Sequence, residues 1–309
     1  MRSANAPRPH LSARLPSKAW RRILLLPFVF VASMLLGYGI VGLLLWSCQS
    51  CVSIFIFEPN RTLYAGPADF SFKVVDVKIP VSSDDTAQSL HGWWVASARR
   101  DARAVLYFHG NDGNVSTSIG EIATLRELGY SVLMIDYRGY GRSEGSVPSE
   151  ETVYQDAEAA WNYLIRHRGI RAARVHIYGH SLGGAIAIEL ALRHPEAAGL
   201  IVESSFTSIA EMAKLHAQYA LLPLQLSSQR FDSINKVGGL RLPVLYIHGT
   251  ADEIVPYAMG EQLYKASGGS KHFVPIGGGL HGNNAAIGGR SFRNAIKDFI
   301  EVPRRLPAG

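Results

Sequence analysis

From residue 104 to residue 300 the chain alternates apolar runs of four or five residues with longer stretches of helical periodicity. The runs are Ala104–Phe108, Val132–Ile135, Val175–Tyr178, Gly199–Val202, Val244–Ile247 and Phe273–Ile276. The helical stretches fall between and after them, at about 116–128, 150–168, 182–193, 209–222, 256–266 and 286–300. Short continuous apolar runs read as strands buried on both faces, and alternation with helices makes such strands neighbours in a parallel sheet. Two earlier runs, Phe72–Ile79 and Leu90–Val95, have only the turn-prone Ser82–Asp85 between them and read as an antiparallel pair, the first ending at Pro80. The pattern predicts one α/β domain over about 60–303, an open and mostly parallel sheet with helices on both faces. In such sheets chemistry collects in the loops at the carboxyl ends of the strands.

Ahead of this domain, Ile23–Phe57 runs for 35 residues without a charged side chain. Its part Ile23–Trp46 would span ~36 Å as a helix, enough for a bilayer core of ~30 Å. Trp20 and Trp46 stand at the two ends, Lys18, Arg21 and Arg22 lie before the run, and no basic residue follows until Arg61. The positive-inside rule then predicts a single-pass transmembrane anchor over 23–57. Residues 1–22 become a basic cytoplasmic leader, and the domain lies on the exported, periplasmic or extracytoplasmic side. Cleavage and lipidation are the alternatives. The run exceeds the ~7–15-residue apolar core of a cleaved signal, and Leu45-Trp46-Ser47-Cys48 carries a bulky Trp where a lipidation box has a small residue. Cys48 and Cys51, the only cysteines, form a C-x-x-C at this boundary with no further ligands near them. Gly37–Gly42 matches G-x-G-x-x-G only in letters, because no strand precedes it inside the apolar run. Six of the 31 basic residues lie in 1–22, and the rest of the chain balances 25 basic against 25 acidic residues. The net charge of +6 therefore belongs to the leader, which removes the case for a nucleic-acid partner.

The run Val175–Tyr178 passes into Gly179-His180-Ser181-Leu182-Gly183-Gly184 and then a helix. This is G-x-S-x-G between strand and helix, the context in which a sharp turn lifts a serine above the sheet. A serine hydroxyl needs a base to take its proton, and that base needs an acid to orient it. Asp252 follows the run Val244–Ile247 and His281 follows Phe273–Ile276, in the chain order acid then histidine. Glu203, at the end of Gly199–Val202, and the adjacent Glu253 compete with Asp252. His91, His176 and His216 read as structural or surface residues. His272 begins its strand at the wrong end, and His248 precedes the acid loop and packs or hydrogen-bonds there. Two backbone amides are needed for the oxyanion: Leu182, directly after the serine, and Asn111, in the loop after Ala104–Phe108. Asp136 and Arg138 read as pins for the loop after Val132–Ile135.

With those residues in place the chain resembles the α/β-hydrolases across about 60–303, and more narrowly the membrane-anchored serine hydrolases that include protein depalmitoylases and lysophospholipases. His109-Gly110-Asn111, the run Asp136–Ser143, the Ser181 elbow and His248–Pro256 carry the resemblance. It implies an eight-stranded sheet and a Ser181–Asp252–His281 triad cleaving esters or thioesters. The expected partners are the membrane and an acylated small-molecule, lipid or protein substrate. A short cap is expected at 209–240, where Met212, Leu215, Tyr219 and Leu222 recur at helical spacing, most of them packing and some lining an apolar acyl pocket. No cofactor or metal motif is present, so none is expected. Two other readings stay open. One is a peptidase of prolyl-aminopeptidase type, for which Glu211 is a cap carboxylate; the other is a non-catalytic membrane scaffold, against which the complete Ser/Asp/His set stands.

Overall fold

The structure, a computed structural model, describes residues 30–43, 53, 56–83, 86–215 and 228–301. Eight strands form one sheet: β1 (Val75–Ser83), β2 (Thr86–Val95), β3 (Ala104–Phe108), β4 (Ser131–Ile135), β5 (Val175–His180), β6 (Gly199–Glu203), β7 (Val244–Gly249) and β8 (Lys271–Ile276). Their spatial order is β1-β2-β4-β3-β5-β6-β7-β8. Pairings β1–β2 and β2–β4 are antiparallel and the others parallel. Inner strands β3, β6 and β7 are buried throughout, which is why they read as unbroken apolar runs.

Alternate residues of these strands feed two cores. Leu106, Ile177, Leu200 and Val244 pack with the helices Glu150–Asn162 and Leu182–Arg193. On the other face Val105, Ile201 and Leu245 pack with the helices Ile119–Glu127 and Asn284–Glu301. The first strand starts at Val75, three residues later than expected, and runs through Pro80 to Ser83 with Pro80 opposite Ser89. Proline is tolerated there because β1 is the sheet's edge, where one side of the strand has no ladder to serve.

The helix Leu182–Arg193 has the expected bounds, and Glu150–Asn162 continues as a wider π-turn over Tyr163–His167. The stretch 116–128 divides into the 3-10 turn Val115–Thr117 and the helix Ile119–Glu127. The last helix is interrupted at Gly289, at φ 49°. Of the cap, the helix Ile209–Ala213, the turn Ser233–Lys236 and Val237–Gly239 are described. His216, Tyr219 and Leu222 lie outside the described residues, as do the leader, Cys48, Cys51 and residues 302–303.

At the N-terminal end, 30–43 is helical. No helix among the described residues is long and apolar enough to cross a membrane.

Backbone contact between the helix Leu182–Arg193 and β3 is what brings the serine turn down onto the sheet. A Cβ at Gly183 would collide with the carbonyl of Phe108, and one at Gly179 with the carbonyl of Gly183. Both obstacles are backbone, which cannot rotate aside. Gly183→Ala should therefore destabilise the fold by about 3 kcal/mol. Chemical denaturation checks this; a midpoint equal to wild type would show that the helix is not in contact at that point.

Candidate active site

The chain leaves β3 toward β4 on one side and later crosses to β5 on the other, so the carboxyl ends of β3 and β5 lie side by side at a switch point, with Phe108 paired to Gly179. Ser181 follows β5 at φ 54°, ψ −119°, a strained conformation for a residue with a Cβ. Three bonds hold it there. Its N–H donates to the Glu203 carbonyl (2.9 Å), and its own carbonyl accepts from Gly184 N (2.9 Å) and Ser205 Oγ (2.8 Å). The serine itself is buried.

The loops after β7 and β8 are joined by the Ala251 N–H on the Gly279 carbonyl (3.0 Å) and the His281 N–H on Glu253 Oε2 (3.2 Å). This brings His281 Nδ1 to 3.1 and 3.0 Å from the two oxygens of Asp252. A carboxylate only accepts, so it holds the ring proton on Nδ1 and leaves the Nε2 lone pair free to take another. Asp252 Oδ1 also accepts from the N–H groups of Ile254 (3.0 Å) and Val255 (2.8 Å). Burial opposes the charge on Asp252, but hydrogen bonds from His248 and His281 prevail and hold its carboxyl well below the usual range. His248 Nε2 sits 2.9 Å from the Val255 carbonyl and 3.3 Å from Asp252 Oδ2, so it braces the acid loop as expected.

The competing carboxylates are engaged elsewhere. Glu203 accepts from Tyr178 Oη and Asn284 Nδ2, and Glu253 touches the backbone of His281 rather than its ring. His176 is buried, which lowers its pKa to about 3, and His272 is exposed on β8.

His180 was not singled out by the sequence pattern, yet it links serine and histidine. Its Nε2 donates to the His281 carbonyl (2.9 Å) and its ring lies 4.9 Å from the His281 ring. Ser181 Oγ and His281 Nε2 are not hydrogen-bonded to each other among the described residues; such bonds are often long before substrate arrives. Ser205 and Asn284 carry no local sequence signal, because their partners are distant in the chain.

Leu182 N begins the helix after the serine, and Asn111 N lies in the loop after β3. Neither amide donates to a backbone oxygen among the described residues. The Asn111 loop approaches the serine closely: a Cβ at Gly110 would stand 3.6 Å from Ser181 Cβ. Tyr137 Oη holds the His109 carbonyl (2.9 Å) and Tyr140 Oη the Asn111 carbonyl (2.6 Å). Asp136 accepts from Val115 N (2.8 Å) and binds His91 Nδ1 (2.7 Å), while Arg138 pairs with buried Asp156 at 2.7 Å. Both residues pin loops, as expected. Among the described residues no group of three or more His, Cys, Asp or Glu could hold a metal ion.

The hydrolase family model described as serine aminopeptidase S33 matches residues 100–236. An uncharacterized protein of Mycobacterium tuberculosis, Rv2307c, is 34% identical over 258 residues, covering 81% of this chain and 90% of that protein. The lysophosphatidylserine lipase ABHD12 of Danio rerio is 32% identical over 239 residues, covering 68% of this chain and 61% of that protein. In structure, the Pyrococcus furiosus esterase Pf2001 superposes with a TM-score of 0.64 at 20% identity, over 79% of this chain and 96% of its own. Sheet order, serine elbow and these matches agree: the chain belongs to the α/β-hydrolases.

Proposed function

We propose that the chain is a membrane-anchored serine hydrolase that cleaves carboxylic esters or thioesters, with acylated lipids or proteins as substrates. The observation that carries the reading is the Asp252–His281 pair, its proton held on Nδ1, next to a strained serine flanked by two amides that donate to no backbone oxygen among the described residues. In this reading Ser181 Oγ attacks the acyl carbon while His281 Nε2 takes its proton. The amides of Leu182 and Asn111 hold the oxyanion. His281 then returns the proton to the departing alkoxide or thiolate, and water releases the acyl group by the same steps.

The anchor is supported by the helix 30–43. Phe30, Met34, Leu35, Leu36, Ile40 and Leu43 are each at least half exposed, and at 100° per residue they lie around its whole circumference. A helix apolar on every side belongs in a core or a bilayer. The charge asymmetry across 1–61 supports an orientation with the domain on the exported side. A preference for acyl chains of medium or long length is supported by Leu280, 41% exposed beside His281, and Ile254, 52% exposed in the acid loop. The Danio rerio relative named as a lysophosphatidylserine lipase points the same way.

The description of the matching family favours a second reading, an aminopeptidase. Against it, the Glu211 carboxylate is paired with Lys214 at 2.6 Å rather than left for a substrate amine. The full-length chain in detergent, given p-nitrophenyl esters from acetyl to palmitoyl and an aminoacyl-naphthylamide, separates these readings. We expect rates that rise to at least octanoyl and a much slower amide. Activity greatest on acetyl and lost by octanoyl would replace the acyl-lipid reading with a small-ester hydrolase; a faster amide would make it a peptidase.

A further inference from the structure

The segment between the apolar N-terminal run and β1 does not hang free of the domain. Ile56 and Phe57 are buried, and the Phe57 ring meets Phe231, within the cap segment, edge-on at 6.0 Å. One residue on, the Glu58 N–H donates to the Asn111 carbonyl (3.0 Å), which Tyr140 Oη also holds. The Asn60 carbonyl accepts from Gly141 N (2.9 Å) and from Asn114 Nδ2 (3.0 Å), whose second proton goes to the Thr62 carbonyl (2.8 Å). The Tyr64 N–H donates to Ser116 Oγ (2.9 Å), and Arg61 reaches the Gly145 carbonyl (2.6 Å). Thus the loop 109–117, which carries the Asn111 amide, is stitched to residues 58–64 along its outer side. Asn114 is fully buried, so both its N–H donors would be orphaned if that segment left.

We propose that residues 57–64 are a strap along the outer side of the loop that carries the Asn111 amide. The strap holds the Asn111 amide in line with the Leu182 amide, and the rate of acyl transfer depends on it. The inference rests on the reading above at one point, Asn111 as oxyanion donor. Pinning the carbonyl of residue 111 restricts rotation at its Cα on one side, and the Gly110 carbonyl, which shares a peptide plane with the Asn111 N–H, is held by His109 Nδ1 (2.8 Å) on the other. The strap is continuous with the apolar run ending at Phe57, so the proposed anchor and the oxyanion site share one piece of chain. Glu58 acts only through its backbone; its side chain is exposed. It is a positioning residue.

The test uses full-length protein in detergent. Glu58→Pro removes the N–H at a position that Pro59 already biases to extended backbone. We expect kcat to fall by about 10- to 100-fold with KM within about threefold, since an ångström of misplacement costs on that order. Labelling by a fluorophosphonate should slow in parallel. Glu58→Ala, which restores the N–H, should recover at least about half the rate, whereas a side-chain role would not allow this. Asn114→Asp keeps the oxygen that caps Ser116 and removes both donors to the strap; it should reproduce the kcat loss if Glu58→Pro does not fold. Folded variants with wild-type kcat, a loss confined to KM, or failure of both variants to fold would each overturn the positioning role. A wild-type rate no higher than that of Ser181→Ala removes the hydrolase reading and this inference together; an active wild type whose kcat survives both substitutions removes the inference alone.

Discussion

Ser181→Ala should lower kcat/KM on a p-nitrophenyl ester by about 10⁴- to 10⁶-fold, equivalent to roughly 5–8 kcal/mol of transition-state stabilisation. The fold should survive. Alanine has the same Cβ and meets the same strain at φ 54°, and the backbone bonds from Gly184, Ser205 and to Glu203 do not involve the hydroxyl. Two serines that follow β6 are otherwise engaged: Ser205 Oγ donates to the Ser181 carbonyl, and Ser204 Oγ accepts from Asn284 Nδ2 at 3.0 Å. The measurement is steady-state hydrolysis together with fluorophosphonate labelling and a thermal melt. A folded variant that hydrolyses the ester at the wild-type rate, or is labelled as fast, would rule out Ser181 as the nucleophile.

Asp252→Asn should cost about 10⁴-fold in kcat. An amide nitrogen facing His281 Nδ1 favours the opposite tautomer, with the proton on the nitrogen that must act as base. It also leaves the imidazolium formed during attack without its counter-charge. Glu203→Gln and Glu253→Gln should stay within about tenfold of wild type, because neither carboxylate touches the ring. If Glu203→Gln abolishes turnover while Asp252→Asn does not, the acid has been misassigned. The pH profile offers a second check on the same pair. Asp252 is held well below the carboxylate range and stays charged wherever a histidine titrates. The acid side of kcat/KM should therefore follow one ionisation and fall about tenfold per pH unit, because the Asp252 carboxylate is not the group that gains the proton. A limb that falls about a hundredfold per pH unit would show the carboxylate protonating together with the base.

What the sequence determined by itself is whatever local periodicity carries. Apolar runs such as Ala104–Phe108 and Val244–Ile247 lie where β3 and β7 form, and the helix Leu182–Arg193 has the bounds its pattern predicts. Ser181 was legible because strand, turn and helix are contiguous, so one stretch of chain contains its whole environment. Pairings between distant residues are of a different kind. Asp252, Glu203 and Glu253 all follow strands and look equivalent in the sequence; only the joining of the loops after β7 and β8 turns the Asp252 carboxylate to His281, 29 residues away. The bond from His180 to the His281 carbonyl spans 101 residues, and the strap's contact with the Asn111 loop depends on a segment outside the predicted strand pattern. Pro80 marks the same divide. A proline in a sequence reads as the end of a strand, yet β1 continues through it, because position at the sheet's edge is a property of strand order, and neighbours two to four residues away in the chain do not encode strand order.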